Sequence, residues 1–517
     1  METRSSKRKK QHQINPLSPS PADLDDEEDR ISDLPDDILH HVFSFLPIKS
    51  AAQTSSLSKR WKTLWYSFPD LDFTTVTANP PPESAAASVR KRVRSHVARG
   101  AEYADQIMSL LEKHSDVRVL RFRAFLTFSR LSGLIRHAVK HNVQELDIEV
   151  STCDYFNFPR SVISSSTLRS LRLKSCHPGF RLPPLEIMKE GFRSLSVLSL
   201  SQIILHDQPL LTDLFTDSSF PSLKKLHLES CFELKNLRIE SPALEDLSLE
   251  SCFQLQDLEI RLHKLKKLRV LSCFDAYSVT SRVKIEAPNL GIMMWSYNAV
   301  TEECFLHNLT CLHEAFVGFF LLQEDLSATK IISVWNFLAG VSHCKSLTLE
   351  SQCIEILSKH DHFAGLSLCS FNKLKSLEFS TGFNKHNNSG LASIFRSCPT
   401  IHTIIIKIIG DHNAQRRQWN KDLWQSPSSG EERYWESQTQ SLNSFLHHLK
   451  VVKMHGFTEC ANDVSLVRFL LKHGKVLQEV FLCTSLSKSR DSLLREKIKS
   501  QIMGFSRASS NANIVFQ

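Results

Sequence analysis

Three segments, LKKLHLESCFEL (Leu223–Leu234), LEDLSLESCFQL (Leu244–Leu255) and LKKLRVLSCFDA (Leu265–Ala276), recur at a spacing of 21 residues. Each carries apolar residues at its first, fourth and sixth places and a cysteine at its ninth. The fourth and sixth places alternate with polar neighbours, which is the period of a strand with one buried face. A unit this short cannot bury that face alone, so successive units must stack, each adding one parallel strand to a shared sheet. The inward leucines of one unit then lie on those of the next. Cys231, Cys252 and Cys273, with Cys176 in an earlier copy, fall where a small side chain tucks under the turn, so packing is the role expected of them.

The pattern extends in both directions. Leu168, Leu171 and Leu173 make one earlier copy, and Leu195, Leu198 and Leu200, with Ile203 at the cysteine place, make another. Those copies are 27 and 28 residues apart, room for a helix that the 21-residue units lack. Weaker copies begin at Val117, Val143, Leu290, Leu312, Leu374, Ile401, Leu449 and Leu477. Leu234/Leu237/Ile239 and Leu255/Leu258/Ile260 echo the motif half a unit later, so the return side of these units should be extended. The motif is similar to the strand segment of a leucine-rich repeat, which implies an α/β solenoid with a parallel concave sheet. In each strand the residue between the two inward positions points away from the core. Asp147, Arg172, Ser199, His227, Ser248, Arg269, Met294 and Phe316 should therefore form one row across that sheet. Arg172, His227, Arg269, Met294 and Phe316 are the candidate target-binding residues, the last two because neighbouring exposed apolar groups mark contact sites.

A second informative stretch is ISDLPDDILHHVFSFLPIKSAAQTSSLSKRWKTLWYSF, from Ile31 to Phe68. Pro35 can open a helix, with Asp33 as a cap and Asp36 and Asp37 suited to the positive helix end. Ile38, Leu39, Val42, Phe43 and Leu46 fall on one apolar stripe, and Pro47 stops the helix. A second helix from about Lys49 and a third from Ser58 to Trp65 follow. About 40 residues bury too little surface to stand alone, so a partner should cover the excess.

These residues resemble the F-box family: the Leu34-Pro35 pair, Ile38-Leu39, the Phe45-Leu46-Pro47 stop, Leu57-Ser58-Lys59-Arg60-Trp61 and Leu64-Trp65. The resemblance implies docking onto the Skp-type adaptor of a cullin-RING ubiquitin ligase, through Leu34, Pro35, Ile38, Leu39, Val42, Phe43 and Leu46. Cullin and RING subunits would be reached through that adaptor. Near the other end, LHHLKVVKMHGF (Leu446–Phe457), SLVRFLLKHGKVLQEVFL (Ser465–Leu482) and FSRASSNANIVF (Phe505–Phe516) resemble the C-terminal FBD region of plant proteins that join an F-box to leucine-rich repeats.

The expected organisation is a charged tail over 1–29, an F-box over 30–75, a helical linker over 76–116, repeats over 117–409, a polar insertion over 410–440 and FBD-like terminal repeats over 441–517. The tail joins a basic cluster from Arg4 to Lys10 to an acidic run, DLDDEED, from Asp23, a disordered composition in which the basic cluster doubles as a candidate nuclear import signal. A second basic run, from Arg90 to Arg99, belongs to the linker helix. The insertion carries Trp419, Trp424, Tyr434 and Trp435, either as partner anchors or as packing onto the last repeats.

Composition sets limits on function. Hydrophobic content of 41% and charged content of 23% over 517 residues are ordinary for a globular chain. No apolar run reaches the 18 or so residues of a membrane span, and the first residues lack a signal core, so no membrane partner is expected. Thirteen cysteines, an odd number without CxxC spacing, point to neither disulfides nor zinc. A net charge of +8 is spread thinly, and no nucleic-acid partner is expected. Phosphate loops, zinc-protease motifs and nucleophile elbows are absent. The Ser56–Lys59 spacing recurs inside a repeat at Ser222–Lys225, and His137 and His141, four apart on a helix, have no third ligand nearby. No catalytic residue, metal or cofactor is therefore expected.

The reading that results is a non-catalytic receptor subunit of an SCF-type ligase, nuclear or cytoplasmic, holding an unidentified protein target on its repeats. Two others share the architecture. One is a receptor needing a small ligand, for which Arg172, Lys174, Lys225, Lys267 and Arg269 offer scattered cationic groups; the other is an adaptor-binding scaffold that degrades nothing.

Overall fold

Alternate burial along each repeat builds the sheet. In the strand Asp246–Glu250, Leu247 and Leu249 are fully buried while the residues between them stay partly open. The computed structural model describes residues 31, 33–76, 89–151, 156–157, 160–175, 180–181, 191–203, 215–216, 219–277, 280–320, 327–358, 370–381, 387–409, 429–457, 461–484 and 492–517. The N-terminal charged tail, Cys176, Trp419 and Trp424 lie outside these residues. Two compact units divide between Trp65 and Tyr66.

In the first unit, α1 (Asp36–Ser44), α2 (Ile48–Thr54) and the start of α3 (Lys59–Ser67) follow the expected helices. Pro35 stands just before α1 as its cap residue, its carbonyl accepting from the Ile38 and Leu39 N–H groups.

The second unit is a solenoid around a sixteen-stranded parallel sheet. Its strands run from Asp70–Asp72, Val119–Phe125, Glu145–Ser151, Ser170–Ser175 and Val197–Ser201 through Lys225–Glu229, Asp246–Glu250, Lys267–Leu271, Ile292–Ala299 and Glu314–Phe320. It continues through Ser346–Leu349, Ser376–Thr381, Thr403–Ile408, Val451–Phe457 and Glu479–Thr484 to Asn513–Phe516. As the echo motif implies, the return side of the central units is extended. Phe215–Thr216, Asn236–Glu240, Asp257–Arg261, Arg282–Glu286 and Glu303–His307 form a five-stranded parallel back sheet. Later units return through helices instead, among them Ala328–Gly340, Asn388–Ser397 and Ala461–His473.

The tuck position explains how neighbouring units are tied. Gln202, Ser230, Ser251, Ser272 and Tyr297 each precede it and each have a left-handed backbone, φ between 51° and 58°. That conformation costs a non-glycine residue about 1 kcal/mol. The turn lets the N–H groups of Ser230, Ser251 and Ser272 donate to Glu250, Leu271 and Ser296 of the following strand at 2.8 to 3.0 Å. The next residue reaches back: the thiols of Cys252 and Cys273 donate to the Leu228 and Leu249 carbonyls at 3.8 and 3.3 Å. At the equivalent place Asn298 does this more strongly. Its Nδ2 donates to Val270 O at 2.8 Å, and its Oδ1 accepts from the Cys273 and Phe274 N–H groups. Each unit is thus stitched forward by a backbone amide and backward by a buried side chain.

Several expected boundaries move. The sheet begins at Asp70–Asp72, paired with Val119–Arg121, inside the 30–75 span expected of the F-box. A three-residue strand with only Leu71 and Phe73 as inward anchors carries too short a period to recognise. The repeat at Ser346–Leu349 escaped detection because Cys344 replaces its first leucine. The insertion is not polar loop throughout: residues 429–437 form a helix whose Trp435 is fully buried between Phe395 and Phe469, 6.3 and 5.7 Å away between ring centres. This settles Trp435 as packing. The run Arg90–Arg99 lies in the helix Val89–Lys113, as expected.

Two predictions follow from the burial of the tuck residues. Burial pushes the Cys353 thiol up to about 12 and is the main cause raising Cys273. In native protein at about pH 8, a thiol reagent should modify exposed Cys311 quickly and leave Cys231, Cys252, Cys273 and Cys353 intact, as mapped by peptide mass spectrometry. Equal labelling would contradict the packing role. Cys252→Ala should cost about 1 kcal/mol in denaturant unfolding. Cys252→Asp, burying an unpaired charge, should cost several times more.

Candidate docking surfaces

The first unit splits the apolar stripe of α1 into two sets. Leu39 is fully buried and Phe43 is 1% exposed, its ring 5.8 Å from that of Trp61. With Ile48, Ala51 and Leu64 they make the core of the module. They are therefore structural, and not among the groups free to meet a partner as the sequence reading had placed them. The other residues of that set remain open: Ile38 at 47%, Val42 at 41% and Leu46 at 38%, with Pro35 exposed and Leu34 half-buried. Phe45, 76% exposed, and Leu57, 68% exposed, enlarge the open set. Phe45 was legible only as part of the helix stop, and Leu57 only as a motif letter.

Arg60 fixes the start of this surface. Its Nη2 donates to the Leu34 carbonyl at 2.5 Å and to Asp36 Oδ1 at 2.9 Å. His40 Nε2 meets the Leu64 carbonyl at 3.1 Å, a second tie between α1 and α3. Both contacts lie 24 or more residues apart in sequence, so no local pattern announces them.

On the main sheet the expected row forms in register: Asp147, Arg172, Ser199, His227, Ser248, Arg269, Met294 and Phe316 pair strand to strand. It continues through Thr348, Glu378, Ile405, Lys453, Phe481 and Val515. Burial raises Asp147 above the usual carboxylate range, opposed by Arg172 and Arg121. Glu250 gathers the centre of the row, accepting from Ser248 Oγ at 2.8 Å with Arg269 Nη1 at 3.6 Å and His227 Nδ1 at 4.0 Å. Met294 and Phe316 lie side by side and partly open. Beside them Glu350 lies over Gly318 to accept from Ser296 Oγ at 2.6 Å. A Cβ at Gly318 would come 1.9 Å from Glu350 Oε2, so only glycine leaves room for that reach.

The back sheet carries charges of both signs. On the back sheet a cavity of about 390 Å³ is lined by Asp257, Glu259, Arg282, Lys284, Glu303, Phe305 and His307. Its charges pair with one another: Arg282 with Asp257 at 2.5 Å and Lys284 with Glu259 at 3.7 Å. His141 is the C-terminal cap of the helix Phe128–Lys140, its ring 4.8 Å from that of His137. Burial, then the His137 charge, lowers its pKa. Among the described residues no three His, Cys, Asp or Glu side chains come together as a metal site, and no helix is long and apolar enough to cross a membrane.

Comparison with known proteins fits this division. An F-box domain model matches residues 31–72, and the model described as "At1g61320/AtMIF1, LRR domain" matches 110–242 and 232–512. The chain belongs to the plant F-box/leucine-rich-repeat family. It is 47% identical over 492 residues to the Arabidopsis thaliana "Putative F-box/FBD/LRR-repeat protein At4g03220", covering 94% of this chain and 95% of that one. It is similar at 24% identity over 403 residues to the Arabidopsis F-box/LRR-repeat protein At3g59190, covering 74% and 93%. The F-box/FBD/LRR-repeat protein At3g26920 of the same plant matches at 32% over 149 residues, 29% and 31% of the two chains. An F-box, leucine-rich repeats and an FBD-like end therefore describe this chain.

The split of the F-box stripe can be measured. Phe43→Ala should destabilise the module by about 3 kcal/mol or more. Val42→Ala and Leu57→Ala, at exposed sites, should stay within about 0.5 kcal/mol. Thermal unfolding followed by a probe in residues 31–65 checks this; equal losses would mean that the open set is core.

Proposed function

We propose that this protein is the target-recognition subunit of an SCF-type cullin-RING ubiquitin ligase. One observation carries the reading. A folded unit matched by the F-box model leaves Ile38, Val42, Phe45, Leu46 and Leu57 open while keeping Leu39 and Phe43 for its own core. F-box domains as a class bind Skp-type adaptors, and an apolar face of this kind is what such a partner would cover. In this reading Leu34, Pro35, Ile38, Val42 and Leu46 meet the adaptor, joined by Phe45 and Leu57. Cullin and RING subunits follow through that adaptor.

The repeats then hold the target. A row that changes from charged at Arg172, His227 and Arg269 to apolar at Met294 and Phe316 offers both steering and a dry contact. Tethering target and conjugating machinery to one body raises their mutual concentration to the order of millimolar. Ubiquitin transfer belongs to the other subunits, so the chain is a non-catalytic receptor. It would work in the nucleus or cytoplasm.

In pull-down with a purified Skp-type adaptor, Ile38→Ala with Phe45→Ala should weaken binding at least tenfold, since buried anchors contribute about 2 kcal/mol each. Unchanged binding would refute the docking face. Arg269→Glu with Phe316→Ala should reduce target capture while adaptor binding and melting temperature hold. Retention of every captured protein by that variant would move the target site off the row.

A further inference from the structure

The residue just before each main-sheet strand forms a second row along the N-terminal rim of the sheet. Backbone bonds set its order: Lys345 N–H donates to His313 O, Lys375 to Lys345, His402 to Lys375, Lys450 to His402 and Gln478 to Lys450, at 2.8 to 3.0 Å. In the N-terminal half of this row Arg118 pairs with Asp70 and Lys266 with Glu245, both at 2.7 Å, while Arg169 and Lys224 make no ion pair among the described residues. In the C-terminal half three unpaired lysines follow. Lys345, Lys375 and Lys450 are exposed, and no carboxylate lies within ion-pair distance of them among the described residues. Exposed His343, Lys373 and His448 each stand two residues before one of these lysines.

Like charges on neighbouring strands oppose each other and cost stability. His402 sits between Lys375 and Lys450, its pKa lowered first by burial and then by those two lysines. Among the described residues no carboxylate offsets the remaining charge. With strands about 4.8 Å apart, Lys345 to Lys450 spans about 14 Å, the length of four or five extended residues. From Lys345 to Gln478 the row carries no arginine. Lysines act as exposed point charges, so a segment carrying successive carboxylates matches this stretch by charge complementarity.

Building on the receptor reading, we propose that the rim Lys345–Lys375–His402–Lys450 binds an acidic segment, rich in Asp and Glu, of the protein target. The rim steers and holds that segment while the adjoining sheet face makes the apolar contacts. Binding should weaken as salt rises, because these charges are exposed.

The test is fluorescence anisotropy of the full chain with a labelled peptide of about eight alternating Asp and Glu residues. Lys345→Gln with Lys375→Gln and Lys450→Gln should weaken binding at least about tenfold without changing the melting temperature. A control with the same charge change, Lys224→Gln with Lys225→Gln and Lys267→Gln, should change it little. Equal loss in the control, no binding by the wild-type chain, or tighter binding of a single-stranded oligonucleotide of the same length would overturn the proposal. Adaptor binding, measured on the same samples, separates the two readings. Its absence with peptide binding intact would refute the receptor role and leave the rim standing.

Discussion

The lateral register of the main sheet governs the rest of the molecule. Each unit passes hydrogen bonds to both neighbours, and the left-handed turn before the tuck residue is what keeps the forward bond in reach. A one-residue slip would turn every inward leucine to solvent. Because the units stay in step, side chains distant in sequence line up in rows: Arg172 with Met294 and Phe316, and Lys345 with Lys450. A row of this kind is a surface made by repetition, its character set by the residues that the core leaves free.

The helical module works on the opposite principle. It has too few residues to bury all its apolar groups, so α1 divides them, turning Leu39 and Phe43 inward and leaving Ile38 and Val42 outward. Arg60 ties the segment ahead of α1 to α3, which fixes the outward set without covering it. The open residues are thus presented by a formed core.

Much of this was legible in the sequence because the signals are periodic. The 21-residue recurrence gave the central strands and the extended back sheet, and strict alternation gave the outward row residue by residue. What escaped lacked the period. Asp70–Asp72 has too few residues to show it, Cys344 breaks the leucine at its first place, and Trp435 sits in a segment whose polar letters hide a helix packed onto the repeats. The apolar stripe of α1 was read as one set for a related reason. A stripe on a helix tells which residues are apolar, but only three-dimensional packing tells that Leu39 and Phe43 are used up internally. The rim of lysines was invisible in sequence because 30, 27 and 48 residues separate its successive members.

The central claim, that one unit docks an adaptor and the repeats are left free for a target, is tested most directly by hydrogen exchange of the full chain with and without a purified Skp-type adaptor. The account predicts added protection in peptides covering Leu34 to Leu57 and none in the strands from Val119 onward. Protection in the repeat strands, or no protection anywhere, would contradict it.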